Sequence, residues 1–157
     1  MASEENKSLQ QVFAPIFKAD GFRKDGPTWR KTSEEAIVVF NIQGSQWARQ
    51  FYLNLGAYFR VLGASESPPE NHCHLRVRAA QLVPDRVWMG QLLDFERPMD
   101  VQVRLGELAD LVQCHVLPWL RAMSSLLGAR GYFDAHPAPA MFIAAEARAL
   151  LGLSSSG

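Results

Sequence analysis

From His72 to Arg78 the chain reads His-Cys-His-Leu-Arg-Val-Arg, and its histidines, cysteine and arginines are residue types that do chemistry. Histidine exchanges a proton near neutral pH or ligates a metal, a cysteine thiolate attacks or ligates, and arginine presents a planar fork that grips carboxylate or phosphate through paired hydrogen bonds. In an extended strand, successive side chains point to opposite faces. His72, His74, Arg76 and Arg78 then share one face, and Cys73, Leu75, Val77 and Ala79 take the other. Like charges packed this closely need negative company. That company is either a bound anion or an Asp or Glu from a covering loop.

The same alternation adds neighbours. In the segment 50–59, Phe51, Leu53, Leu55, Ala57 and Phe59 form an apolar list, leaving Tyr52, Asn54, Gly56 and Tyr58 opposite. In the segment 36–43, Val38, Phe40 and Ile42 alternate with Ile37, Val39, Asn41 and Gln43, so this second face turns polar toward the end of the strand. The ligand-binding surface expected from the sequence is therefore Gln43, Tyr52, Asn54, His74, Arg76 and Arg78, with Asn41 within reach of joining it.

A metal site is not expected from His72-Cys73-His74, because a strand sends Cys73 away from both histidines. Cys114, followed by His115, sits beside an apolar helical stripe and reads as a buried, inert thiol. No G-x-S-x-G, P-loop, G-x-G-x-x-G, H-E-x-x-H or paired C-x-x-C occurs, so no catalytic residue and no cofactor is assigned. The carboxylate pairs Asp94/Glu96 and Glu107/Asp110 read as solvated surface, and the scattered Trp29, Trp47, Trp88 and Trp119 as packing.

These side chains must be held by elements. Ser3 before Glu4 and Glu5 is a helix cap with acids in the first turn, and Leu9, Val12, Phe13, Ile16 and Phe17 make one apolar stripe that Gly21 ends. Pro15 inside that pattern predicts a kink or a shortened helix. From Phe22 the period falls to two, with turns at Asp25-Gly26-Pro27, at Gly44-Ser45 and over 65–71. Strands are predicted at 22–24, 28–32, 36–43, 50–59 and 73–82, forming an antiparallel meander. Beyond Trp88 the helical period returns in Val101, Leu105, Leu108, Val112, Val116, Leu120 and Met123, with Pro118 expected to kink or split it. A last helix is predicted over 139–151, after the turn at 135–138. The expected architecture is α+β: helices on one face of the sheet, the other face wet. Residues 1–153 are expected to form a single α+β domain, with a frayed C-terminal tail at 154–157.

Composition narrows the class. A 48% hydrophobic chain with nine Phe and four Trp folds, and 16 Lys+Arg against 16 Asp+Glu create no field drawing it to nucleic acid or an anionic membrane. Two cysteines are too few for a disulfide framework and are expected as free thiols. With no signal peptide pattern and no apolar run of spanning length, the expected location is the cytoplasm. Nothing in the sequence sets the oligomeric state.

The pieces Gly21-Phe22-Arg23-Lys24, Phe40-Asn41-Ile42-Gln43-Gly44-Ser45, Phe51-Tyr52-Leu53-Asn54-Leu55-Gly56 and His74-Leu75-Arg76-Val77-Arg78, in that order and spacing, resemble the bacterial domain of unknown function 4304 family over Gly21–Trp88. The resemblance implies a small α+β domain of prokaryotic type and supplies no catalytic residues. The chain departs from the family at Val87-Trp88, where a paired Trp is usual, and matches loosely from Val101 onward.

The expected function is a non-catalytic binding or interaction domain, taking a small anionic ligand or a protein partner on the polar sheet face. Two alternatives stand beside it. One is a small metal-dependent hydrolase on the same face, with His72 and His74 as ligands or bases. The other is a toxin-neutralising, partner-capping protein, which would need an exposed apolar or acidic patch.

Overall fold

A computed structural model describes residues 2–137 and 139–154. Helix α1 runs Glu4–Ala19, capped by the Ser3 hydroxyl, which accepts the Asn6 N–H at 3.1 Å. Pro15 does not shorten it: this residue lies on the exposed face, where the intrahelical bond it forfeits faces solvent rather than core. Leu9, Phe13 and Phe17 are fully buried, and Val12 and Ile16 pack at the margin.

Six strands follow the chain in spatial order, every neighbouring pair antiparallel: β1 (Arg23–Asp25), β2 (Thr28–Thr32), β3 (Ala36–Gly44), β4 (Phe51–Phe59), β5 (Leu75–Arg78) and β6 (Phe142–Ile143). The sheet is the expected meander with an added edge strand. The predicted alternation holds: Val38, Phe40 and Ile42 of β3 and Phe51, Leu53, Leu55, Ala57 and Phe59 of β4 enter the main core. There Phe40 meets Phe17 at 4.5 Å and Phe13 at 5.6 Å between ring centroids.

The C-terminal helices close that core: α2 (Arg86–Leu92), α3 (Val101–Leu111), α4 (Leu117–Ala122), α5 (Leu126–Ala135) and α6 (Ala145–Leu151). Pro118 acts as expected. A π-helical turn at Val112–Val116, in which the Leu117 N–H reaches back to the Val112 carbonyl, separates α3 from α4 and places Pro118 in the first turn of α4, where its missing N–H costs least.

Five expectations need correction. The predicted strand 73–82 is only Leu75–Arg78, because Ala79–Gln81 winds into a 3-10 turn and Glu70–His72 into another. The predicted helix 139–151 begins at Ala145; before it Phe142 and Ile143 pair with Arg76 and Leu75. Cys114 is exposed, not buried. The stripe of α3 starts later than expected: Leu105 and Leu108 pack on the core as predicted, but Val101 is exposed, while Arg104, a residue off the apolar pattern, is 3% exposed. Finally, the outer sheet face is not uniformly wet. Ile37, Val39, Tyr58 and Cys73 form a second small cluster there, roofed by the chain after β4, where Pro68 is buried and the Ser65 N–H donates to the Tyr58 hydroxyl at 3.1 Å. Of the expected frayed tail, the Ser154 carbonyl accepts from Arg148 at 3.1 Å, and 155–157 lie outside the described residues.

Candidate functional site

Strand register assembles the polar face. Thr28, Asn41, Asn54 and Arg78 stand directly abreast on β2, β3, β4 and β5, and Gln43 faces Tyr52 one step further along. Cross-strand neighbours at this spacing interact, and here they form a chain of hydrogen bonds. The Asn41 amide donates to Thr28 Oγ1 at 2.9 Å, and the buried Asn54 amide donates to Gln43 Oε1 at 2.9 Å and to Asn41 Oδ1 at 3.4 Å.

The two arginines have different company. Arg76 Nε lies 3.2 Å from Glu70 Oε1, a carboxylate delivered by the 3-10 turn of the roofing segment. This is the covering-loop partner that the sequence left open. Arg78 is exposed and stacks its guanidinium 4.0 Å over the Tyr52 ring, and among the described residues it has no ion pair with a carboxylate. Stacking leaves the edge of the guanidinium, where its donors lie, open to a planar anion.

Two histidine expectations fail together. The His74 N–H donates to the Ala57 carbonyl at 2.9 Å, yet Ala57 already pairs with Leu75, so two residues of this segment oppose one of β4. That is a β-bulge, and it shifts the alternation by one. Cys73 consequently lands on the outer face against Gly56, and His74 leaves the arginine ladder. His74 is buried, with its ring 4.6 Å from Tyr58, and Nδ1 accepts the Phe59 N–H at 3.0 Å; burial depresses its pKa against the opposing pull of the Glu146 carboxylate. His72 is exposed on the preceding 3-10 turn. The two histidines do not share a face, and among the described residues no three His, Cys, Asp or Glu side chains gather as metal ligands.

The structure therefore brings together Gln43, Tyr52, Asn54, Arg76 and Arg78 with Asn41, adds Thr28, and sets His74 apart. Two hollows adjoin the group. A groove of about 360 Å³ lies between Asn41, Asn54, Arg76 and Glu70. A narrower crevice of about 290 Å³, with a mainly apolar floor, opens beside Tyr52 and Arg78 where β4 runs past the end of β5 toward α2. A larger cleft of about 470 Å³ at β1 and β2 is lined by Arg23, Lys24, Arg30 and Lys31. Acids already attend two of these cations: Lys31 lies 3.6 Å from Asp20, and Arg30 lies 3.6 Å from Asp25.

Sequence reasoning missed Arg104. Its guanidinium donates to the carbonyls of Leu92 and Arg97 at 2.6 Å each, Asp94 at 3.0 Å and Gln91 at 3.3 Å, and lies 4.5 Å over Phe95. It thereby fixes the 91–97 segment, whose Leu93 and Asp94 form one wall of the crevice. The only available signal was an arginine four residues before Leu108, on the same helical face.

An antiparallel α+β domain with helices on one face and a half-roofed, hydrogen-bonded polar surface on the other is thus defined. The family model described as "Domain of unknown function (DUF4304)" matches residues 13–122, and the chain belongs to that family. No curated protein and no solved structure matches it. Among the described residues, no helix is long and apolar enough to cross a membrane.

Proposed function

We propose that the protein is a non-catalytic binding domain that takes an anionic group on Arg78, with the Tyr52 ring supporting the guanidinium and the Asn54–Gln43 pair forming the adjoining surface. The observation that supports this reading is the asymmetry between the arginines: Arg76 is neutralised by Glu70 at 3.2 Å, and among the described residues Arg78 meets an aromatic face at 4.0 Å and no carboxylate. An arginine so placed keeps its paired donors for an external carboxylate or phosphate.

The test is a thermal-shift series of the wild type, Arg78→Gln and Arg76→Gln with acetate, phosphate, sulfate and citrate. Arg78→Gln should melt like the wild type without anion and lose the rise that an anion gives. Arg76→Gln should melt lower without anion, by no more than the ~1 kcal/mol of a partly exposed pair. Lack of any anion-dependent rise in the wild type, or an equal rise in Arg78→Gln, overturns the reading.

The partner-capping alternative keeps one specific observation. Trp47, in the turn between β3 and β4, is 92% exposed, and tryptophan is a preferred anchor of protein interfaces.

A further inference from the structure

We infer that the crevice beside Arg78 is a site for a single apolar amino acid, its carboxylate on Arg78, its ammonium toward Asp94 and its side chain on the apolar floor. The inference rests on the proposed anion-binding role of Arg78 and adds the rest of the ligand.

The crevice exists because β5 stops early. Its last residue, Arg78, pairs with Asn54, so Phe51–Leu53 of β4 extend beyond it. The space alongside is bounded by the 3-10 turn Ala79–Gln81 and by α2, whose end is stitched to β4 where the Phe51 N–H meets the Leu93 carbonyl at 3.0 Å and Gln50 bridges Asp94. Leu53, Met89 and Leu93 supply apolar lining.

Charge then selects the ligand. Arg78 and Asp94 are the charged residues lining this crevice; they carry opposite signs, and no ion pair joins them. A dianion would gain from Arg78 and be repelled by Asp94, whereas a molecule carrying both charges satisfies both. One Asp94 oxygen, Oδ1, is already occupied by the Glu96 N–H at 3.0 Å, which orients the carboxylate and leaves its other oxygen for the ligand. The volume of about 290 Å³ lies at the lower end of small-ligand pockets, the scale of one residue rather than a peptide.

The wall is preformed. Arg104 holds the carbonyls of Gln91, Leu92, Asp94 and Arg97 with one buried guanidinium, so the backbone that presents Asp94 is fixed before a ligand arrives. Preorganisation of this kind removes an ordering cost from binding. Gly90 of α2 also lines the crevice, and a Cβ added there meets no heavy atom within 4 Å. The rim of the crevice at Gly90 is therefore open.

The experiment is calorimetric titration of the full chain with four probes: phenylalanine, 3-phenylpropionate, phenethylamine and glycine. They present all three features or omit the ammonium, the carboxylate or the apolar body in turn. Phenylalanine should bind about tenfold or more tightly than each of the others, since each omitted contact is a charge-assisted hydrogen bond or a buried ring. Arg78→Gln should abolish this preference over phenethylamine, and Asp94→Asn, which keeps the Oδ1 acceptor, should abolish the preference over 3-phenylpropionate. Glycine binding as tightly as phenylalanine, 3-phenylpropionate binding more tightly, or an undiminished preference over 3-phenylpropionate in Asp94→Asn would overturn the inference and leave Arg78 as a simple anion site. If none of the four binds while phosphate still stabilises the protein through Arg78, the inference alone falls; if phosphate also has no effect, the functional reading falls with it.

Discussion

His74 Nδ1 accepts the main-chain N–H of Phe59 at 3.0 Å, so a side chain completes the end of the sheet where β5 has already bulged away from β4. Accepting requires an unprotonated Nδ1, which places the proton of the neutral ring on Nε2. Burial depresses the folded pKa below the ordinary value of 6.5, and the Glu146 carboxylate opposes this shift.

The sign of the pH dependence follows from that depression. Above about pH 6.5 the ring is neutral in both folded and unfolded chains, and its contribution is complete. Below it the unfolded chain binds the proton first, so stability falls, by at most about 1.4 kcal/mol per pH unit, until the pH reaches the depressed folded value. Urea denaturation of the wild type and His74→Gln at pH 7, 6 and 5 should show the steeper decline in the wild type. Parallel declines would mean that His74 is not held neutral by the fold.

The two thiols should separate cleanly. Cys114 is exposed, while Cys73 is 3% exposed and pushed up to about 12 by burial and then by the Glu70 carboxylate. A thiol reagent at pH 8 should label one cysteine in the folded protein and the second only after unfolding, and Cys114→Ser should remove the fast phase. Fast labelling that survives Cys114→Ser would show that the roof over Cys73 opens readily.

What could be read in advance was what local periodicity encodes. Ser3 with its acidic first turn marked the start of α1, and the alternation of Val38, Phe40 and Ile42 and of Phe51 to Phe59 sorted both faces of the central strands correctly. Gln43, Tyr52 and Asn54 followed because they lie on those strands, and Arg76 and Arg78 because β5 keeps the same period over Leu75–Arg78. The failures lie where distant residues decide. The bulge at His74 depends on Ala57 accepting an extra N–H, which no period in the sequence reveals. Strand β6 has two residues and exists only because β5 offers it an edge. The roof over Ile37 and Val39 is built by a loop, and Glu70 acquires its role only when that loop folds over Arg76.

Arg104 failed to register because burial of a charge depends on acceptors remote in sequence, four backbone carbonyls between Gln91 and Arg97. Arg104→Met should keep the packing volume while leaving those carbonyls without their donor. A loss of about 3 kcal/mol is expected, since a buried unsatisfied polar group costs roughly 1–3 kcal/mol and water will reach some of these carbonyls. Arg104→Lys should recover little, because an ammonium cannot span acceptors that a planar fork reaches together. Chemical denaturation measures both. A variant as stable as the wild type would show that the 91–97 wall holds without its arginine.

Gly56 and Cys73 test the altered register directly. A Cβ built on Gly56 falls 2.6 Å from Cys73 Sγ and 2.8 Å from Cys73 Cβ, closer than real contacts come. If the strand had continued with the parity of Leu75 and Val77, Cys73 would lie in the helical core and Gly56→Ala would meet no sulfur. With the bulge in place, Gly56→Ala must push against a buried side chain under the loop, and overpacking of this kind costs about 1–3 kcal/mol. Removing the sulfur should relieve part of the clash, so the loss in the double variant Gly56→Ala/Cys73→Ala should be smaller than the sum of the two single losses. Residues in contact commonly show coupling of about 0.5–3 kcal/mol, and separated ones add to within about 0.5 kcal/mol. Additive losses in urea denaturation would place Cys73 away from Gly56, returning it to the inner face and His74 to the arginine ladder.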